Sequence, residues 1–227
     1  SVATLDEIMD VKIANPDSFY YVIGNHDVTQ DLAKGQRGNF QQYYFHEALK
    51  AHVGESLWED EYREKYFEYL SLSPIVLVAP NLVSVHAGPI KAIADGSITL
   101  EQLMAVDPQG KPLINPEFIA RHSHLQTAKK NGVDVNGLER QVIMDALWSR
   151  YAEYPEGVPI SQAYSEDDVR RFKEAVSQQT GVRIKYFIVG HTKPYVNVSA
   201  IGEPTFELQN FNLLVYPDQD HYLLMAL

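Results

Sequence analysis

Asn25, His26, His86 and His191 are the side chains whose types and placement could do chemistry together. They sit in three short loops: Gly24-Asn25-His26-Asp27, Val85-His86-Ala87-Gly88 and Val189-Gly190-His191-Thr192. Neutral imidazole is the commonest nitrogen ligand of divalent transition metals. An Asn amide oxygen is a less common ligand, but it is neutral and hard, and it suits an ion that already carries carboxylate charge. A His next to such an Asn points elsewhere in an extended loop, so His26 suits proton donation rather than ligation. Taken singly, each residue is better explained as a polar loop side chain satisfied by nearby backbone. The same placement met at three separate points favours one shared, metal-dependent, phosphate-handling site.

That placement comes from the elements upstream. Each loop follows a short run rich in β-branched and aromatic residues: Phe19 to Ile23, Leu82 to Val85, and Tyr186 to Val189. These read as strands, and ligands of open α/β sheets bind beyond the C-terminal ends of strands. Ile75 to Ala79 reads as a further strand, joined to Leu82 to Val85 by the turn Pro80-Asn81 as a hairpin. Thr4-Leu5-Asp6-Glu7 reads as a capping box opening a helix that ends at Asn15-Pro16. Phe40 to Leu72 is helical in pattern, with Trp58, Tyr62 and Tyr66 as packing residues and Glu59-Asp60-Glu61 as a helix N-terminal region. Short helices are expected near Leu100 to Met104 and His122 to Lys130, and a longer one from Leu138 to Trp148. Ser165-Glu166-Asp167-Asp168 caps a helix with Val169, Phe172 and Val176 on one face, and Gly181 stops it. The tail reads as strands Tyr195 to Ala200, Phe206 to Gln209, Leu213 to Tyr216 and Tyr222 to Leu227. Residues 89–137, with scattered Pro and Gly, read as an insertion or cap beside the site.

Composition narrows the function classes. The chain of 227 residues is 45% hydrophobic, carries a formal net charge of −11 and has no cysteine. That acidity argues against a general nucleic-acid binder, whereas bound metal ions can reverse the local field for a phosphate substrate. The lack of cysteine removes disulfides, zinc–thiolate sites and a Cys nucleophile. No apolar run reaches membrane-spanning length, so no membrane partner is expected. The oligomeric state is left open, and a cytoplasmic location is the expectation.

The order of the motifs resembles the calcineurin-like metallophosphoesterases. Gly24-Asn25-His26-Asp27 resembles the third motif of that superfamily, His86-Ala87-Gly88 its later His-Gly-Gly segment, and Gly190-His191-Thr192 its final Gly-His motif. Asp145-Ala146-Leu147-Trp148-Ser149 resembles the Leu-Trp-Ser stretch of the phosphoprotein (serine/threonine) phosphatase branch. Lys193 stands where many metallophosphoesterases place a second His, which also favours that branch. The resemblance runs from about Thr4 to about Thr192.

It implies an α/β (α+β) fold, a metallophosphoesterase β-sandwich flanked by helices, as a single domain over 1–227. It implies two divalent ions (Mn, Fe or Zn), with Asn25, His86 and His191 ligating one of them. His26 would protonate the leaving oxygen while a hydroxide bridging the ions attacks phosphorus in line. Arg37 and Arg150 are candidates to bind phosphate oxygens bidentately, with a surface ion pair as the alternative for each. The family's opening motifs, Asp-x-His and Gly-Asp-x-x-Asp, are not in the chain. The expectation is therefore a domain whose first strands and remaining ligands lie upstream of Ser1, and a segment inactive by itself. The substrate expected is a phosphorylated protein. The alternatives are a small phosphoester, as for a dinucleotide-polyphosphate hydrolase, and a catalytically inactive phosphatase fold used for binding.

Overall fold

A computed structural model describes residues 2–25, 27, 40–105, 114, 137–151, 163–189 and 213–214. They form a mixed α/β structure in two compact units. One comprises Ser1–Pro74 with Val106–Gly137, the other Ile75–Ala105 with Leu138–Leu227. Among the described residues no helix is long and apolar enough to cross a membrane.

The described elements of the first unit are helices. Helix α1 spans Val2–Ala14, so Thr4 already lies inside it and does not cap it. A capping residue needs a non-helical backbone, and the helix has begun before Thr4. Asn15 closes α1 as expected, its side-chain amide donating to the Val11 carbonyl at 3.1 Å. Lys12 reinforces that end by donating to the Pro16 carbonyl at 2.6 Å and the Phe19 carbonyl at 2.9 Å, a favourable place for a cation.

Residues 19–24 belong to no strand, contrary to the sequence expectation. Within them the Ile23 amide donates to the Pro74 carbonyl at 3.1 Å. β-branched composition favours extended backbone, but a strand exists only with a ladder partner.

The long helical stretch is divided. Helix α2 spans Phe40–Val53 and a short α3 spans Glu55–Leu57. A π-helical turn, Trp58–Tyr62, then leads into α4, Arg63–Leu72. Gly54, at φ 92°, makes the first break, in a region that L side chains rarely enter. Trp58 is buried and its ring lies 6.1 Å from that of Tyr66, whereas Tyr62 is exposed. Glu59, Asp60 and Glu61 lie in the first turn of the π-helical segment, the N-terminal position the sequence suggests. Two of them also pair with cations, Glu59 with Lys50 at 3.2 Å and Glu61 with Lys65.

The second unit holds the sheet. Strands β1 (Val76–Ala79) and β2 (Leu82–Val85) form the expected antiparallel hairpin, with Val76 opposite Val85 and Ala79 opposite Leu82. Pro80 followed by Asn81 at φ 67° meets the requirements of a type II turn. The Asn81 carbonyl accepts the amides of both Lys185 and Tyr186 at 2.8 Å. This anchors the start of the strand that begins at Tyr186. Strand β5 (Tyr186–Val189) pairs parallel to β2, with Val83 opposite Phe187 and Ser84 opposite Ile188. The short β6 (Leu213–Leu214) adds parallel to β5, so the strand order among the described residues is β1-β2-β5-β6.

The crossover from β2 to β5 carries helices α5 (Lys91–Ala94), α6 (Leu100–Met104), α7 (Leu138–Trp148) and α8 (Glu166–Thr180). Strands β3 (Arg150–Tyr151) and β4 (Ala163–Tyr164) pair parallel between α7 and α8. The start of the expected insertion is core: Ile90, Ala92, Ile93, Ile98, Leu100 and Leu103 are buried, and α5 packs on α8. Helix α8 follows its sequence closely. Ser165 and Asp168 form a reciprocal capping box, and Gly181 closes the helix in the left-handed conformation. Val169, Phe172 and Val176 are fully buried, and the Phe172 ring meets Phe187 of β5 edge-on at 5.9 Å. The expected helix at 122–130 and the tail strands at 195–200, 206–209 and 222–227 lie outside the described residues.

Candidate functional site

In the first unit the site is a turn. Gly24 and Asn25 are buried, Asn25 to 2% exposure. The Asp27 amide donates to the Gly24 carbonyl at 3.1 Å, and the Gly24 amide donates to Asp27 Oδ2 at 2.7 Å. Two reciprocal bonds therefore close the loop that carries Asn25. The Tyr66 hydroxyl, from α4, donates to the Asp27 carbonyl at 3.2 Å. Burial pushes the phenols of Tyr21, Tyr66 and Tyr69 up, and the Asp27 charge adds to the rise. All three stay protonated at neutral pH and remain able to donate. His26 and Arg37 lie outside the described residues.

In the second unit, β2 ends at Val85, and the half-buried His86 follows directly. The next residues are fastened to α7. The Ala87 amide donates to the Ala146 carbonyl at 2.7 Å. Gly88 lies so close that a Cβ there would stand 2.3 Å from Ser149 Oγ and 2.6 Å from the Tyr164 ring. The Lys91 amide donates to Asp145 Oδ2 at 2.9 Å, the Lys91 ammonium to the Ala163 carbonyl, and Ser149 Oγ to the Asp145 carbonyl. The Leu-Trp-Ser stretch is thus the platform on which the His86 loop rests.

Asp145 has no role in the sequence reading beyond membership of that stretch. It is buried to 2% exposure, and burial pushes its carboxyl up to about 6 against the opposing pull of the Lys91 amide and ammonium. The available signal was its position: a carboxylate among Val142, Ile143, Ala146 and Leu147, all buried on one helix, needs a partner.

Strand β5 ends at Val189, two residues before His191 in sequence. Because β2 and β5 are parallel neighbours, their C-terminal ends share one edge of the sheet. His191, Thr192 and Lys193 lie outside the described residues. The backbone of Arg150 is in β3, paired with Ala163, and its side chain is not among those described. His52 has the surface role its context suggests, 3.5 Å from Asp6 with both side chains exposed.

Among the described residues no group of three or more His, Asp or Glu side chains could hold a metal ion. The described members of the expected ligand set are Asn25 in one unit and His86 in the other. One offers an amide oxygen and the other an imidazole nitrogen. No family model, curated protein or solved structure matches the chain.

Proposed function

We propose that this chain belongs to a metal-dependent phosphomonoesterase of the calcineurin-like type, with a metallophosphoesterase sandwich as its complete fold and phosphorylated proteins as its substrates. The observation that carries the reading is the parallel pairing of β2 with β5. It brings to one sheet edge the strand followed by His86 and the strand followed in sequence by Gly190-His191. In this reading Asn25, His86 and His191 hold one of two divalent ions. Bound there, the ions would supply Lewis acidity toward the phosphoryl oxygens and an activated water. His26 donates a proton to the leaving oxygen. Arg37 and Arg150 orient the phosphate by paired guanidinium bonds. The platform of Ala146, Ser149 and Tyr164 keeps the His86 loop from moving during the reaction.

The test is the full-length protein, assayed for metal content and for hydrolysis of p-nitrophenyl phosphate, a phosphoserine peptide and a dinucleotide polyphosphate with added Mn²⁺. Hydrolysis of the first two with bound metal is expected. Turnover confined to the dinucleotide polyphosphate would move the substrate class to small phosphoesters. Metal-free protein with no turnover on any substrate would leave a phosphatase-like binding module.

A further inference from the structure

We infer that Asp27 is a positioning residue that aims Asn25, and that Tyr66 holds Asp27 in place for that purpose. The inference rests on the proposed role of Asn25 as a metal ligand. An amide side chain has an oxygen end and a nitrogen end, and only the oxygen can face a cation. A buried Asn ligand therefore needs its backbone held in one orientation. The turn from Gly24 to Asp27 provides this. Asp27 closes it twice, through its own amide to the Gly24 carbonyl at 3.1 Å and through Oδ2 to the Gly24 amide at 2.7 Å.

Asp27 is in turn tied to another part of the same unit. The Tyr66 hydroxyl reaches its carbonyl from α4, 39 residues away, at 3.2 Å. Groups that orient metal ligands in this way typically change metal affinity or activity 10–100-fold when removed.

The experiment compares full-length wild type with Asp27→Ala, Asp27→Asn, Tyr66→Phe and Tyr20→Phe. Tyr20→Phe is a control that removes a hydroxyl bond to the Asp17 carbonyl of 2.8 Å at an exposed place in the same unit. Calorimetry measures Mn²⁺ binding to metal-depleted protein, hydrogen exchange follows the peptide covering residues 20–28, and kinetics give kcat and KM for p-nitrophenyl phosphate. Asp27→Ala should bind Mn²⁺ about 10–100-fold more weakly and exchange its Gly24 amide faster, with KM for the substrate unchanged. Asp27→Asn should recover most of the loss, because its amide oxygen can still accept the Gly24 amide. Tyr66→Phe should fall between them, and Tyr20→Phe should match wild type.

A folded Asp27→Ala protein with wild-type Mn²⁺ affinity and unaltered exchange overturns the inference. If that variant does not fold, Tyr66→Phe decides, since it keeps the ring and removes one bond, and wild-type behaviour there is the overturning result. If wild type itself neither binds Mn²⁺ nor hydrolyses substrate, the phosphatase reading fails. The exchange measurement still decides whether Asp27 holds the turn.

Discussion

At the scale of single residues, two side-chain positions in the second unit carry consequences that composition hides. Gly88 has no room for a methyl group, because the nearest atoms are Ser149 Oγ and the Tyr164 ring. Gly88→Ala should therefore lower stability by about 1–3 kcal/mol, the usual cost of overpacking, seen as a lower urea midpoint without a change in slope. Asp145 makes a second prediction. Its folded-state pKa, about 6, is raised above the ordinary value of 3.8 by burial. The folded chain thus holds a proton that the unfolded chain has lost. The favourable contribution is complete below about pH 4, declines as pH rises toward 6, and is gone above that, a total of about 2–3 kcal/mol. Asp145→Asn cannot titrate, and its amide oxygen can still accept the Lys91 amide. Urea melts from pH 4 to 7 should show wild type losing stability relative to the variant as pH rises. Parallel pH curves for the two proteins would contradict the buried-carboxyl account.

At the scale of elements, helix α8 separates local signals from packing. Its start depends on the Ser165–Asp168 capping box, and its hold on the sheet depends on Val169, Phe172 and Val176. Ser165→Ala should cost about 1 kcal/mol, the usual price of a lost cap. Phe172→Ala should cost about 3–5 kcal/mol, because it leaves a cavity against Phe187. The exposed pairs of Arg170 with Asp167 and Glu174 should matter much less, since solvent screens them. If Ser165→Ala proves as costly as Phe172→Ala in equilibrium unfolding, the helix end and not its buried face dominates. The platform under His86 depends on the same packing, because α5 lies against both α8 and α7.

At the scale of the whole molecule, the formal charge of −11 is a stored repulsion that divalent cations would relieve on binding. If the proposed metal site exists, Mn²⁺ binds the folded chain and not the unfolded one. Full-length protein should then gain about 2.7 kcal/mol at a free Mn²⁺ concentration 100 times its Kd. EDTA should remove that gain together with the phosphatase activity. Thermal melts that do not respond to either addition would count against a metal site.

Much of the fold was legible locally, for identifiable reasons. Strands β2 and β5, the hairpin at Pro80-Asn81, and helices α6, α7 and α8 fall where the sequence places them. Each is announced by contiguous residues: an apolar run bounded by a turn, a helical period, a cap or a stop glycine. The same local grammar failed at Phe19 to Ile23, where composition favours a strand but no ladder partner is found among the described residues. It also passed over Lys91–Ala94, a helix too short to show a period, and mistook Thr4 for a cap. His86 and Asn25 were identifiable as candidates from their sequence context. The closed turn around Asp27, the crowding at Gly88 and the desolvation of Asp145 were not. Those depend on residues brought together from far along the chain, such as Tyr66 with Asp27, Ser149 with Gly88 and Lys91 with Asp145. The sequence by itself determined which residues are candidates for chemistry and that His86 directly follows β2. Only the tertiary structure decided what holds those residues in place, because hydrogen-bond partners and burial arise from packing and not from neighbours in the chain.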